Sequence, residues 1–219
     1  MSGVLDRQPG RLTLLSIKQL SDDAFASAAP PHLLSAYQLI AQWLTSYLMR
    51  PHAELGRPGD VCPFTAQAFR LDTIRIGVSG AAGADVAGAR RCMRDCFEQF
   101  ASMPCPDSMG HFRTIVVGFP RMDDAVGLET LRKVQRRLKI YCLLRGLMIG
   151  RFHAGSNDPG LWNPDFRPLR SPIPLLAIRQ VVENDAPFAL RHPLLIPTYV
   201  WKYSRAAPRR LLAGLGKAR

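Results

Sequence analysis

Cysteine is scarce in this sequence of 219 residues, and the few cysteines follow no pattern. There are five of them, an odd number, in a chain long enough to bury a core without covalent cross-links. Small secreted domains instead carry dense, even-numbered cysteine sets that close disulfides, so this composition argues against a secreted framework of that kind. Cys92 and Cys96 lie four positions apart on a predicted helix, and we expect them to be core thiols.

Long apolar runs are also missing. The longest uncharged run, residues 33–49, is interrupted by five polar side chains, whereas a membrane-spanning helix needs about 20 mostly apolar residues. The first 30 residues mix acidic and basic side chains, and they lack the apolar stretch and small-residue cleavage site of a secretory signal. We therefore expect a cytoplasmic protein without a membrane partner.

Acidic residues are few relative to basic ones, 17 against 29, which gives a formal net charge of +12. Such a balance is typical of nucleic-acid-binding proteins. Seven of the basic residues, however, follow Asp185, where no acid occurs, so residues 1–185 carry only +5. A second basic cluster within residues 125–145 lies opposite an apolar stripe, as on an ordinary solvated helix. Because no zinc-finger, RNP or helix-turn-helix pattern accompanies these charges, we do not expect a nucleic-acid partner.

Hydrophobic periodicity predicts alternating helices and strands. Helices are predicted over 32–50, 84–103 and 125–145, and strands over 71–78, 112–119, 147–153 and 173–182. Two strand–helix–strand passages indicate an α+β or α/β sandwich. We expect the α+β class, with one roughly four-stranded sheet packed by helices in a single domain at residues 31–205. Residues 1–30 are then an N-terminal extension and residues 206–219 a basic C-terminal tail.

A long segment without apolar periodicity, residues 154–172, separates the third and fourth predicted strands. Loops of this length inside a compact domain usually serve a function. Arginine forks bind carboxylates or phosphates, and an aspartate receives an amine or guanidinium. We therefore expect Asp165, Arg167 and Arg170, with Arg179 on the next strand, to form a pocket for an amino acid or a haem propionate. The alternative is a self-packed loop whose arginines bind its own carbonyl oxygens.

Cys62 lies in the sequence VCPF, before a predicted short helix. Because proline favours the first helical position, we expect Cys62 at the N-cap, where unpaired N–H groups and the helix dipole stabilise a thiolate. Such a thiolate can ligate haem iron or act as a nucleophile. A cysteine that serves only as a small buried hydrophobic residue is the alternative.

His153 ends the third predicted strand and begins the long loop, a usual place for a residue that faces a ligand. As a neutral imidazole it can ligate haem iron or another metal, and it can also act as a general acid or base. The spacing of a zinc site is absent. A histidine that is simply hydrogen-bonded is the alternative.

The motif VCPF at 61–64 and the run RFHAGSNDPGLWNPDFRPLRSPIPLLAIR at 151–179 resemble those of an uncharacterised bacterial family found among specialised-metabolite genes. The likeness covers roughly residues 56–201. A Cys-x-Phe element before the first strand and an Arg-Ser element before the last are similar in layout to the YqcI/YcgG group, which includes haem-dependent arginine N-hydroxylases. This resemblance implies haem b as cofactor, a guanidine or amine substrate, and Cys62 or His153 as the axial ligand of iron.

These features lead us to favour an enzyme: a haem-dependent oxidoreductase, or monooxygenase, that acts on the nitrogen of an amino acid in the biosynthesis of a specialised metabolite such as a siderophore. The reaction would be N-hydroxylation or the formation of an N–N or N–O bond. The residues assigned to it are Arg170 and Asp165 for the substrate, Cys62 and His153 for iron, and Arg167 and Arg179 for the rest of the cofactor. Two alternatives stay open: a non-catalytic partner protein that docks an acidic protein of its pathway, and a cofactor-free transferase with Cys62 as nucleophile.

Overall fold

Four strands form one mixed sheet in the computed structural model, which describes residues 11–22, 29–106, 108–186 and 196–203. The strands are β1 (Ile74–Val78), β2 (Thr114–Gly118), β3 (Leu147–Phe152) and β4 (Leu175–Gln180). Their order across the sheet is β1, β2, β4, β3; β1 and β2 run parallel, and β4 runs antiparallel to both neighbours. The expected α+β fold, with one four-stranded sheet packed by helices, is confirmed.

Among the described residues, six α-helices accompany these strands. They are α1 (Ile17–Leu20), α2 (Leu34–Trp43), α3 (Thr65–Arg70), α4 (Val86–Ser102), α5 (Ala125–Leu144) and α6 (Ile196–Lys202), of which α1 and α6 were not predicted from the sequence. A 3₁₀ turn at Pro31–Leu33 precedes α2 and a π-helical turn at Leu44–Leu48 continues it. Together these three segments fill the helix predicted over residues 32–50, and α4 and α5 match their predicted ranges to within two residues at either end.

Helix α5 shows why its limits could be read from the sequence. Asp124 is the N-cap, and its Oδ1 accepts a hydrogen bond of 2.6 Å from the N–H of Gly127, which satisfies a donor that the first turn leaves unpaired. Gly146 follows the helix with a φ of +67°, a conformation that glycine adopts at little cost. The predicted apolar stripe is buried; its members are Leu131, Val134, Leu138 and Cys142.

The two faces of the sheet bury separate cores because successive side chains of a strand point to opposite sides. On β4, Leu176 and Ile178 face α4 and α5, and they join the core that contains Cys92 and Cys96, which are buried as expected. Leu175 packs with α2 and α3 on the other face. The candidate site lies on this second face, at the end of α2.

The domain boundary predicted at residue 31 is too late in the chain. Leu15 is fully buried, and it exchanges backbone hydrogen bonds of 2.8 and 2.7 Å with Ile76 on the free edge of β1. An unpaired strand edge is costly to leave open, so this part of the expected extension belongs to the folded domain. The expected tail, residues 206–219, lies outside the described residues.

Within the described ranges, no helix combines the length and the apolar character needed to cross a membrane.

Candidate functional site

A cavity of about 700 Å³, broadly open to solvent, lies between the end of α2 and the loop that joins β3 to β4. Its lining combines aromatic, charged and small polar residues. The aromatic rings are Trp43, Tyr47, His52 and Phe166; the charged residues are Glu54, Asp165, Arg167 and Arg170; and the remainder are Ala154, Asn157, Ser171 and Pro172. The long loop therefore contributes Asp165, Arg167 and Arg170 to one cavity, and these three residues were expected to act together.

The aromatic residues form a continuous wall. Trp43 and Tyr47 lie one helical turn apart, and their rings stack with centroids 6.3 Å apart. The ring of Tyr47 meets His52 edge-on at 6.2 Å, and His52 packs on Phe166 at 4.7 Å. Phe166 is itself buried, so the loop is anchored to this wall by one of its own side chains.

Hydrogen bonds hold the loop against the rest of the domain. The indole Nε1 of Trp43 donates to the carbonyl oxygen of Arg170 at 3.0 Å. The Nδ2 of Asn163 donates to the carbonyl oxygen of Glu54 at 2.8 Å. Within the loop, the N–H of Gly160 donates to the carbonyl oxygen of Phe166 at 2.8 Å. The first two hydrogen bonds hold the loop against α2 and against the turn at residues 53–60, and the third joins two parts of the loop.

Gly56 allows the turn at residues 53–60 to approach this loop closely. Its φ is +76°, and a Cβ at this position would stand 3.0 Å from the backbone carbon and oxygen of Trp162. Any other residue would be strained in its backbone and would push the two segments apart. The turn therefore places His52 and Glu54 at the cavity because residue 56 has no side chain.

Arg170 is fixed at one end and open at the other. Its Nε donates to the carbonyl oxygen of Ser156 at 3.3 Å, and its two terminal nitrogens have no hydrogen-bond partner among the residues that the structure describes. Burial raises the pKa of Tyr47, and the positive charge of Arg170 partly offsets this rise. Tyr47 therefore stays a neutral phenol near an arginine fork that is open to the cavity.

Arg167 follows the alternative expected from the sequence, a loop arginine that binds its own loop. One of its terminal nitrogens donates to the carbonyl oxygens of Pro164 and Phe166. One terminal nitrogen of Arg167 is thus used to hold the loop, whereas the side chain of Arg170 binds the loop only through its Nε.

The acidic residues of the cavity balance its arginines. Asp165 and Glu54 both lie in the lining and are exposed, and within the described part of the chain neither carboxylate has an ion-pair partner. The backbone N–H of Asp165 donates to the Oδ1 of Asn163 at 2.9 Å, which fixes the chain at this point. The two carboxylates and two guanidiniums of the lining sum to no net charge.

Most of the chain matches the model of one known protein family. Residues 37–213 match the family model described as "Domain of unknown function (DUF6875)". The chain belongs to this family. No curated protein and no solved structure matches it.

In this DUF6875 domain, Cys62 is not an N-cap residue, so that expectation is wrong. The cap of α3 is Phe64, and the helix begins at Thr65. The N–H of Cys62 is already bound to the carbonyl oxygen of Leu48 at 2.9 Å, and the carbonyl oxygen of Cys62 accepts from Thr65 at 3.3 Å. A turn over residues 62–65 therefore precedes the helix, and Cys62 lies two residues before the cap.

Arg179 lies away from the cavity, which corrects the expectation that it acts with Arg167 and Arg170. Its two terminal nitrogens bind the carboxylate of Asp185 at 2.8 and 2.6 Å, and its side chain lies 5.4 Å from the ring of Phe64. Burial lowers the pKa of Arg179, but the hydrogen bonds and charge of Asp185 outweigh it and raise the pKa overall. The loop enters β4 at Leu175, about 13 Å of strand away from Arg179.

His153 lies outside the cavity lining too. Its Nδ1 is buried without a partner among the described residues, 3.8 Å from where a Cβ on Gly155 would stand. Burial lowers the pKa of His153, the charge of Arg151 lowers it further, and Asp158 opposes both. The imidazole is therefore neutral near pH 7, beneath a turn of its own chain.

The residues of this DUF6875 domain do not fit haem at the cavity. A haem iron needs an axial side chain that reaches the metal, but neither Cys62 nor His153 lines the cavity. Cys62 lies close enough to Arg179 to interact with its charge, and Arg179 sits at the far end of β4. The two candidate iron ligands are therefore apart from the residues expected to hold substrate.

Four lining residues lie outside the long loop and were not expected from the sequence: Trp43, Tyr47, His52 and Glu54. Two of them end the first predicted helix and two follow Pro51, which stops it. The signal that could have found them is the turn-rich segment 54–60, because a second irregular segment is a natural partner for a long loop.

Proposed function

We propose that this cavity binds a zwitterionic small molecule of the amino-acid type. The observation that carries the proposal is the state of Arg170: its Nε is tied to the backbone of Ser156, and its terminal nitrogens are open to the cavity. A guanidinium held in this way presents two parallel donors, the geometry that a carboxylate accepts best. The ligand carboxylate is therefore assigned to Arg170.

The ligand's ammonium group is assigned to the acidic residues of the lining. Asp165 and Glu54 are unpaired among the described residues and stand in the same cavity as Arg170. A cavity with balanced charge favours a zwitterion over a simple anion or cation, because either ion would leave one pair of charges uncompensated. This supports an amino acid rather than a phosphate or a polyamine.

The aromatic wall is assigned to the ligand's side chain. The half-buried rings of Tyr47 and His52 give a flat contact surface without much loss of conformational freedom, and the buried rings of Trp43 and Phe166 pack against them. The hydrogen bond from Trp43 to the loop keeps this wall and Arg170 in one arrangement. The site is thus largely formed before a ligand enters.

Oxidation of the ligand's nitrogen, in the biosynthesis of a specialised metabolite, is the reaction implied by the resemblance to the YqcI/YcgG group, and it stays a prediction. We derive no step through haem, because neither Cys62 nor His153 lines the cavity. The absorption spectrum of protein produced with ample iron and haem precursor is the direct test. A Soret band that is lost in Cys62→Ser or His153→Ala would support the prediction, and its absence would count against it.

Ligand binding is tested by calorimetry and thermal shift with the twenty standard L-amino acids. We expect at least one to bind, and we expect its amide, which lacks the carboxylate charge, to bind more weakly. Arg170→Met should weaken binding about tenfold or more, since it removes a charge-assisted contact. Arg137→Met is the matched control, because Arg137 is exposed on α5 across the sheet. The proposal fails if no amino acid binds or if Arg170→Met binds as tightly as the control.

A further inference from the structure

We infer that His52 donates a hydrogen bond from its Nε2 to the bound molecule, and that this molecule carries a hydrogen-bond acceptor in its side chain. The inference rests on the proposed zwitterion site, and it adds a class to that proposal: amino acids whose side chains end in a carbonyl, amide, carboxylate or hydroxyl group. No feature of the sequence singled out His52.

The tautomer of His52 follows from its neighbour along the chain. The backbone N–H of Glu54 donates to Nδ1 of His52 at 3.2 Å. A nitrogen that accepts a hydrogen bond must offer a lone pair, so in the neutral ring the proton is on Nε2. His52 thereby presents a donor on the side of the ring opposite Glu54.

The orientation of the ring is held by contacts on two sides. Phe166 packs at 4.7 Å with an angle of 36° between the planes, and Tyr47 meets the ring edge-on at 78°. His52 also caps the 3₁₀ turn Ala53–Leu55, which fixes its backbone. The ring lines the cavity, and its Nε2 has no hydrogen-bond partner in the described part of the chain. A donor fixed in this way does not need to be reoriented when a ligand binds.

A fixed donor selects among ligands of equal shape. A ligand with an acceptor opposite Nε2 gains one hydrogen bond. An apolar ligand of the same shape displaces water from the N–H and leaves this donor without a hydrogen bond. The expected preference is about fivefold to tenfold for a single neutral hydrogen bond at a half-buried site. L-Asparagine and L-leucine are a suitable pair of probes, because their side chains have nearly the same shape and only asparagine offers an acceptor; L-glutamine and L-methionine form a second pair.

The first experiment needs no ligand. The ¹⁵N shifts of the His52 ring in the free protein at pH 8 should show a protonated Nε2 and an unprotonated Nδ1. The opposite tautomer would overturn the inference, whatever the protein binds.

The second experiment compares His52→Gln with His52→Asn. The amide nitrogen of glutamine reaches the position of Nε2, whereas asparagine keeps an oxygen near the position of Nδ1, where it can still accept from Glu54. We expect His52→Gln to retain the preference for asparagine over leucine and for glutamine over methionine. We expect His52→Asn to lose that preference while its melting temperature stays near that of the wild type.

The outcomes separate this inference from the proposed function. If the amino acids bind but the two members of each pair bind equally, or if His52→Asn keeps the preference, His52 is not the donor and the zwitterion site stands. If none of the twenty amino acids binds, the proposed function fails and the inference fails with it.

Discussion

Trp43 donates a hydrogen bond of 3.0 Å to the backbone of Arg170, a residue 127 positions later in the chain. This contact joins the end of α2 to the loop that carries the proposed carboxylate-binding group. Trp43 is 8% exposed, and its hydrogen bond to the carbonyl oxygen of Arg170 is partly buried. The same residue thus supports both the stability of the loop and the geometry of the cavity.

We expect Trp43→Phe to reduce the free energy of unfolding by about 1–3 kcal/mol, since it leaves a partly buried carbonyl without its donor and removes part of a packed ring. Affinity for the amino acid identified in the binding screen should fall as well. Urea denaturation measures the first effect and calorimetry the second. Trp201→Phe is the control, because Trp201 is 79% exposed; equal losses in the two variants would show that the hydrogen bond to Arg170 is unimportant.

The pair formed by Arg179 and Asp185 has a structural role that can be measured. Asp185 is 2% exposed, and its carboxylate binds both terminal nitrogens of Arg179 and the N–H of Val182. Removing one partner of a buried pair typically costs about 3–5 kcal/mol, so Asp185→Asn should lower the free energy of unfolding by about 3 kcal/mol.

The matched control for this pair is Asp72→Asn. Asp72 lies 3.7 Å from Arg75, and its side chain is 42% exposed, so its loss should cost less than about 1 kcal/mol. Binding of amino acids in the cavity should be unaffected by either change. A cost for Asp185→Asn no larger than that of the control would contradict the assigned role of the buried pair.

Local patterns predicted most of the fold, and distant contacts account for what they missed. The limits of α5 depend on Asp124, Gly127 and Gly146, all within or beside the helix, and their preferences act over a few residues. The order of the strands and the burial of Leu15 against β1 depend on pairings between remote segments. No local preference encodes such pairings.

The same reasoning explains what the sequence revealed of the site. The long loop stood out by its length and its arginines, and Asp165, Arg167 and Arg170 do share a cavity. His52 did not stand out, because its role depends on the bond between Asn163 and Glu54, which are 109 positions apart. Arg179 was misplaced because a residue at the far end of a strand looks adjacent to the loop in sequence.

A comparison of substitutions at Gly56 and Gly83 distinguishes the cost of backbone strain from the cost of a steric clash. Both have positive φ, +76° and +50°, but a Cβ on Gly83 would meet nothing within 4 Å, whereas one on Gly56 would stand 3.0 Å from the backbone of Trp162. We expect Gly83→Ala to cost about 1–2 kcal/mol of unfolding free energy from strain alone. Gly56→Ala should cost more and should also weaken ligand binding, because it displaces the turn that carries His52. Identical behaviour of the two variants would contradict the close approach of turn and loop.

Stability should depend on pH through His153. Burial and the charge of Arg151 lower its pKa in the folded protein below the ordinary value of 6.5, so the unfolded chain binds the proton more readily than the folded one. The contribution of His153 to the free energy of unfolding is therefore fully present above about pH 6.5, and it is lost as the pH falls through the lower pKa of the folded state. Urea denaturation between pH 5 and 8 should show a smaller loss of stability at low pH for His153→Gln than for the wild type. Parallel curves would show that the histidine is not protonated preferentially on unfolding.

The five cysteines should differ in their reaction with iodoacetamide in the native protein. Burial raises the pKa of Cys142 to about 12. A hydrogen bond with Cys92, followed by burial, raises the pKa of Cys96. Since only thiolates react, both should be protected until the protein unfolds, whereas the half-buried Cys62 and Cys105 should be labelled first. Mass spectrometry of the labelled peptides over time gives the order. Cys105 serves as the internal reference for Cys62: equal rates would leave Cys62 an ordinary accessible thiol, whereas labelling of Cys62 many times faster than Cys105 would support the alternative in which it is the nucleophile of a transferase.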